Sequence, residues 1–181
     1  MKHFFLLTLL PLLFPLGLIL SCDRDDDIEG LNDTWMDPNT GLVWQTIPSN
    51  DYLTWEEARS FCAELSLAGG NWRFPAISEL RTLVRGCNGT LAEGKCGVTD
   101  SCSFLSCQNT FCSHCKNGQG PNKGCYGPPG LSGGCDALWS STTTEDADYD
   151  GAWGIDFKNG QVVKGYVYLD YISMFHVRCV R

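Results

Sequence analysis

The sequence is short of positive charge, of long apolar runs and of histidine, and each shortage closes off a class of function. Thirteen Lys and Arg stand against twenty-one Asp and Glu, a formal charge of −8 at pH 7, and no stretch gathers the cations into a patch. Such a surface repels phosphate backbones and anionic lipid headgroups, so nucleic acid is excluded as a partner. The longest apolar run, Phe4 to Leu20, carries Pro11, Pro15 and Gly17, and falls short of the roughly 20 apolar residues a helix needs to cross a bilayer. His114 and His176 have no plausible Ser or Cys nucleophile as partner, so no catalytic constellation emerges and the chain reads as a non-enzyme. There is no internal repeat. At 181 residues and 43% hydrophobic content, the remaining composition is that of one ordinary globular domain.

What the chain has in excess is cysteine. Eleven cysteines in a chain this size point to an oxidising compartment, since thiols at that density are seldom left free in a reducing one. Lys2 and His3 followed by the apolar run form a cleaved export signal. Ile19-Leu20-Ser21-Cys22 then resembles a bacterial lipoprotein lipobox, in which cleavage over residues 1–21 leaves Cys22 N-terminal and lipidated, so that the membrane is a partner through that lipid. Setting Cys22 aside leaves ten cysteines, an even number that can pair completely. Losing Lys2 takes the mature chain to twelve basic against twenty-one acidic residues, a charge of −9. Residues 22–32 are acidic and almost without apolar content, a solvated tether. Asp23 after Cys22 resembles an inner-membrane retention signal of some bacteria, and both the outer membrane and the periplasmic face of the inner membrane stay open as the anchor's location.

The folded part reads as hairpin, helix, helix, cysteine-rich insertion, then strands. Thr34-Trp35-Met36 and Leu42-Val43-Trp44 flank a turn at residues 37–41 supplied with Pro38 and Gly41. Thr54 and Glu57 form a capping box, and Trp55, Ala58, Phe61, Cys62, Leu65 and Ala68 recur on one helical face until Gly69-Gly70 stops it. A second helix over about 76–84 follows Pro75 and turns Ile77, Leu80, Leu83 and Val84 inward. Residues 86–136 hold eight cysteines, many glycines and three prolines with scarcely an apolar period, which describes a loop-rich insertion stapled by disulfides rather than packed around a core. Strand character resumes at Ala137. Residues 153–157 and 161–163 flank Asn159-Gly160, a strong hairpin signal, and Phe175 to Arg181 alternates as a last strand.

Thr40-Gly41-Leu42-Val43-Trp44-Gln45, Trp55-Glu56-Glu57-Ala58 with Cys62, Gly70-Asn71-Trp72-Arg73-Phe74-Pro75 with Glu79-Leu80, Trp139-Ser140-Ser141, Ala152-Trp153, and the terminal Val177-Arg178-Cys179-Val180-Arg181 occur in an order that resembles the Lcl C-terminal domain family over about residues 33–181. One departure is Ala76, where the family often carries a Thr able to cap the helix. The resemblance implies an α+β, C-type-lectin-like domain with two helices, antiparallel strands and both chain ends together. It also implies a bridge between the first helix and the final strand, at Cys62 and Cys179. The other eight, Cys87, Cys96, Cys102, Cys107, Cys112, Cys115, Cys125 and Cys135, then make four bridges within the insertion, with 105 pairings open. The family's named member is a collagen-like surface adhesin that binds sulfated glycosaminoglycans. This chain has no Gly-X-Y stalk and a charge of −9, so neither trimerisation nor that ligand is carried over.

Other motifs carry bland readings beside sharp ones. Cys112-Ser113-His114-Cys115 has redox-pair and zinc-ligand spacing but lacks a second C-x-x-C or a strand before it, which favours structural disulfides. Gly130-Leu131-Ser132-Gly133-Gly134 fits G-x-S-x-G inside a Pro/Gly-rich loop, the wrong context for a nucleophile elbow. Asp146, Asp148 and Asp150 before Gly151 match the first half of a calcium loop. Phe157 stands where the bidentate Glu belongs, so an EF-hand is excluded. A loop-type calcium site, completed by Glu145 or Asp156, competes there with a simple solvated acidic loop. Arg73, Glu79, Arg178 and Arg181 read as framework charges, and most of the six tryptophans as core.

The expectation is an exported, lipid-anchored envelope protein whose lectin-like domain recognises an extracellular glycan or protein without catalysis. Two other readings are a structural envelope component and a relative of formylglycine-generating enzymes. The enzyme reading needs an active thiol pair, whereas every mature cysteine here can be paired off.

Overall fold

The computed structural model describes residues 33–146, 150–167 and 172–181. The export segment, Cys22, the acidic tether and Asp148 lie outside the described residues. The chain forms β1 (Thr34–Met36), β2 (Val43–Gln45), α1 (Trp55–Glu64), α2 (Ile77–Thr82), β3 (Ala137–Thr143), β4 (Gly151–Asp156) and β5 (Gln161–Tyr166). This is a mixed α and β fold: β1 and β2 make an antiparallel hairpin, and β3-β4-β5 a three-stranded antiparallel sheet.

The first hairpin closes through one carboxylate. Asp37 is fully buried, and its oxygens accept from the Asn39 amide and the Thr40 hydroxyl, both at 3.1 Å. Its own amide donates to Leu42 at 2.8 Å, and Gly41 takes the left-handed turn at φ 74°. The turn sets Trp35 opposite Trp44.

The last residues do not form the regular alternating strand that their sequence suggests. They run as a seam of isolated bridges: Phe175 to Leu53, His176 to Leu138, and Val180 to both Trp44 and Arg73. The reason is that this segment has neighbours on both edges. Val43 and Arg181 exchange amide–carbonyl bonds at 2.9 Å, Arg73 and Val180 exchange another pair, and Trp139 donates to the His176 carbonyl. Every residue from His176 to Val180 is therefore buried. The chain's end ties the first hairpin to the three-stranded sheet.

Helix α1 starts where its capping box places it. Thr54 Oγ1 accepts from the Glu57 amide at 3.3 Å, and the Glu57 carboxylate accepts from the Thr54 amide at 2.8 Å. Backbone and side-chain bonds from Thr54 hold the Glu57 carboxyl below its ordinary pKa. Trp55, Ala58 and Cys62 face the core. The helix ends at Glu64, earlier than Gly69-Gly70, and Ala68 is exposed in a left-handed turn instead of continuing the buried face. Tertiary donors override the helical pattern here. The Trp72 indole donates to the Leu67 carbonyl at 2.6 Å and the Arg181 guanidinium to that of Ala68 at 2.6 Å, so carbonyls outside the helix find partners.

Helix α2 buries Ile77 and Leu80 completely; it ends at Thr82, short of the expected stretch to 84, and Leu83 and Val84 are buried in the segment that follows. Ala76 supplies no capping side chain, and two distant residues do the capping. Thr142 Oγ1 of β3 accepts from the Ile77 amide at 2.9 Å, and Asp100 of the insertion from the Ser78 amide at 3.2 Å. Glu79 completes the turn by accepting from the Ala76 amide at 2.9 Å.

Residues 86–136 contain no strand longer than an isolated bridge, only two short 3-10 turns, Leu105–Cys107 and Thr110–Ser113. Five disulfides are present: Cys62–Cys179, Cys87–Cys115, Cys96–Cys112, Cys102–Cys107 and Cys125–Cys135. The insertion nevertheless is packed around a core, against the sequence expectation. Val98, Tyr126, Cys87, Cys96 and Cys112 join the same buried cluster as α2, Trp153 and Ile155. Arg81 organises this packing. It is 1% exposed, and its guanidinium donates to the carbonyls of Val98 at 2.6 Å, Leu91 at 2.7 Å, Thr90 at 3.2 Å and Gly94 at 3.3 Å. The polar backbone of a loop without strands is thus satisfied by one forked side chain.

The hairpin of β4 and β5 turns at Asn159-Gly160, with Gly160 at φ 62° and the Asp156 carboxylate accepting from the amides of Lys158 and Asn159. A side chain at Gly160 would come within 2.9 Å of the Tyr126 ring, which is how the insertion docks on the sheet.

Candidate functional site: a cleft under the 125–135 loop

The described residues enclose a cleft of about 400 Å³ between the insertion and the seam formed by the chain's end. Its outer wall is the loop 125–135, closed covalently by Cys125–Cys135. Leu83, Leu138 and Phe157 give it an apolar floor, and His176 and Arg178 form its back wall. The loop is fastened to the seam by its main chain. The Ser132 amide donates to the Thr46 carbonyl at 3.1 Å, and the Ser132 carbonyl accepts from Arg178 Nη2 at 2.7 Å. Asn122 holds the loop's other arm by donating to Pro128 O at 3.2 Å.

Arg178 is 4% exposed. Its Nη1 donates to the carbonyls of Gln45 and Thr46, while its Nε has no hydrogen-bond partner. Desolvation pushes its pKa down to about 9, so it remains charged at neutral pH. No ion pair links it to an acidic side chain among the described residues.

His176 is held through Nδ1. Nδ1 lies 2.8 Å from the Ser49 carbonyl, an acceptor that fixes the proton on Nδ1. Nε2 is 3.9 Å from the Asp136 carboxylate, and Tyr52 covers the ring at 4.1 Å between centroids. Ser132, Asp136 and His176 all line the cleft, yet the ring's polar contacts go to Ser49 and Asp136, and Ser132 is used through its main chain. The G-x-S-x-G match therefore makes a loop wall here.

The remaining sequence candidates separate in space. Cys112 and Cys115 belong to different bridges, with Cys96 and Cys87, so the C-x-x-C spacing does not form a redox pair. Asp146 accepts from the Leu105 amide at 2.6 Å, which ties the acidic loop to the insertion, and Asp150 is exposed. Among the described residues no group of three or more His, Cys, Asp or Glu side chains could hold a metal ion. Trp44, Trp55, Trp72, Trp139 and Trp153 are buried; Trp35 is half-buried against Gly130 of the cleft loop. Arg73 pairs with Glu79 through two bonds, 2.7 and 2.5 Å, and Arg181 lies 4.8 Å over the Trp72 ring. Arg81 and the cleft itself carry no local sequence signal. Arg81 sits between Leu80 and Leu83 as any exposed helix residue would, and the cleft joins segments up to 130 positions apart.

A disulfide-braced α and β domain whose ends are laced together, with a loop-walled cleft on its insertion, is the class that these features define. The sequence matches the Lcl C-terminal domain over residues 33–181, and the chain belongs to that family. No curated protein and no solved structure matches it.

Proposed function

We propose that this is a non-catalytic recognition domain of an exported bacterial lipoprotein, C-type-lectin-like in fold, that binds an extracellular glycan or protein through its cysteine-rich insertion. The lipid on Cys22 and the tether of residues 22–32 hold it on the cell envelope. The observation that carries this reading is the bracing of the insertion. All eight of its cysteines pair within it, and Arg81 pins its carbonyls from beneath. Loops fixed in advance lose little entropy on meeting a partner, which is the economy a binding surface needs. An oxidising compartment follows from the same bridges.

The test is binding of the oxidised, non-lipidated protein to a broad array of glycans and matrix proteins, with calcium and then with chelator. Selective binding supports recognition, and its loss on chelation assigns the Asp146, Asp148 and Asp150 loop a calcium. Silence in both conditions moves the reading to a structural envelope component. Incorporation of labelled palmitate that disappears in Cys22→Ser tests the anchor.

A further inference from the structure

The geometry points to the cleft under the 125–135 loop as a binding site for a small organic carboxylate, a monoanion of monosaccharide or aromatic-acid size. The inference deepens the recognition reading and rests on it for the site's purpose, though its chemistry stands on the cleft alone.

Arg178 supplies the first argument. A guanidinium this deeply buried needs its donors met, as those of Arg81 are by four carbonyls, because desolvating a lone charge is expensive. Here it meets only main-chain carbonyls, and one N–H is left without an acceptor. The back wall of the cleft therefore carries a positive charge with no ion-pair partner among the described residues. Lys123, exposed at the rim, adds a second cation. Two cations lining one small cleft suit the charge of a carboxylate. The doubly charged sulfate or phosphate asks for more donors than these.

The shape supplies the second argument. About 400 Å³ lies within the ordinary range for small-molecule pockets, and an apolar floor with a few convergent polar groups is their usual lining. Leu83, Leu138 and Phe157 would take the body of the ligand. A polyanion is disfavoured by the chain's charge of −8, whereas a single carboxylate gains from the local field. Asp136 opposes the anion. Its carboxylate is half-exposed beside His176, so removing its charge should improve binding.

The test is a titration of the full oxidised chain, followed by amide chemical shifts, with benzoate and glucuronate, their neutral counterparts benzyl alcohol and glucose, and sulfate and phosphate. Benzoate or glucuronate is expected to shift the resonances of residues 127–136 and 176–178 with a Kd below about 1 mM, at least tenfold tighter than the neutral counterpart. Lys123→Gln should weaken this several-fold, and Asp136→Asn should tighten it. Gly127→Val should block it. A Cβ at Gly127 meets only the Phe157 ring, at 3.5 Å, an ordinary contact, and both residues line the cleft, so a side chain there takes up cleft volume. Equal binding of the neutral compounds, preference for sulfate or phosphate, no response to either carboxylate at about 10 mM, or binding that ignores Gly127→Val would each overturn the assignment. An array hit with no carboxylate response would overturn it while leaving recognition by the insertion intact; a silent array with benzoate in the cleft would do the reverse.

Discussion

Removing the Cys62–Cys179 bridge by the double change Cys62→Ala and Cys179→Ala should be the most damaging cysteine deletion in the protein. The bridge joins α1 to the buried terminal seam across 117 positions. Taken alone, a loop of that length restricts the unfolded chain by about 5 kcal/mol at 25 °C. The other four bridges survive in the variant and shorten the unfolded loop. The covalent path from Cys62 reaches Cys87, crosses to Cys115, runs on to Cys125, crosses to Cys135 and continues to Cys179, about 80 residues in place of 117. Because the dependence is logarithmic, the contribution falls only to about 4.5 kcal/mol. Alanine is the right replacement, since both positions are fully buried and a serine hydroxyl there would lack assured partners.

The matched control is Cys102→Ala with Cys107→Ala, a bridge across five positions, for which the same relation gives about 2 kcal/mol. Urea unfolding followed by circular dichroism, without reductant, would give both values, and the melting temperature should fall by roughly 10–18 °C for the long bridge in a domain of this size. Equal losses for the two deletions, or a loss of less than about 2 kcal/mol for the long one, would show that loop closure does not set the contribution of these bridges.

Three further outcomes follow from the helix ends and the buried cations. Thr142→Val should cost about 1 kcal/mol by orphaning the Ile77 amide, and Ala76→Thr should restore part of it while adding less to the parent; a thermal-denaturation cycle over the four proteins reads the coupling. Burial opposes ionisation of Glu79, but its bonds to Arg73 and the Ala76 amide outweigh that and hold its pKa below the ordinary 4.5. Its contribution is therefore present above about pH 4.5 and is lost as pH falls through the lower folded value, so Glu79→Gln should flatten the acid limb of a melting-temperature profile. Arg81→Leu leaves four carbonyls without their donor and should cost more than about 3 kcal/mol, with hydrogen exchange accelerating across residues 90–98 first; uniform acceleration over the whole chain would refute the local role.

The parts of this fold that could be read in the sequence are those whose determinants are local. The Thr54 capping box, the turn at Asp37 to Gly41 and the Asn159-Gly160 hairpin each need only neighbours three or four positions away, and each forms where its residues place it. What escaped reading is set by distant partners. Ala68 leaves the helical face because Arg181 waits for its carbonyl, and the terminal residues give up alternation because neighbours occupy both edges. Ala76 begins a helix without a cap because Thr142 and Asp100 provide one from 65 and 22 positions away. The insertion shows the same rule most strongly. Its sequence has no apolar period because its order is not periodic: it comes from four covalent crosslinks and from one arginine that satisfies four carbonyls. Such a scaffold fixes the cleft's wall by bridges and main-chain bonds, so that exposed lining side chains such as Lys123 need not pack. Lys123→Gln and Asp136→Asn are therefore expected to cost the fold little, and to read the charge preference of the proposed site apart from its stability.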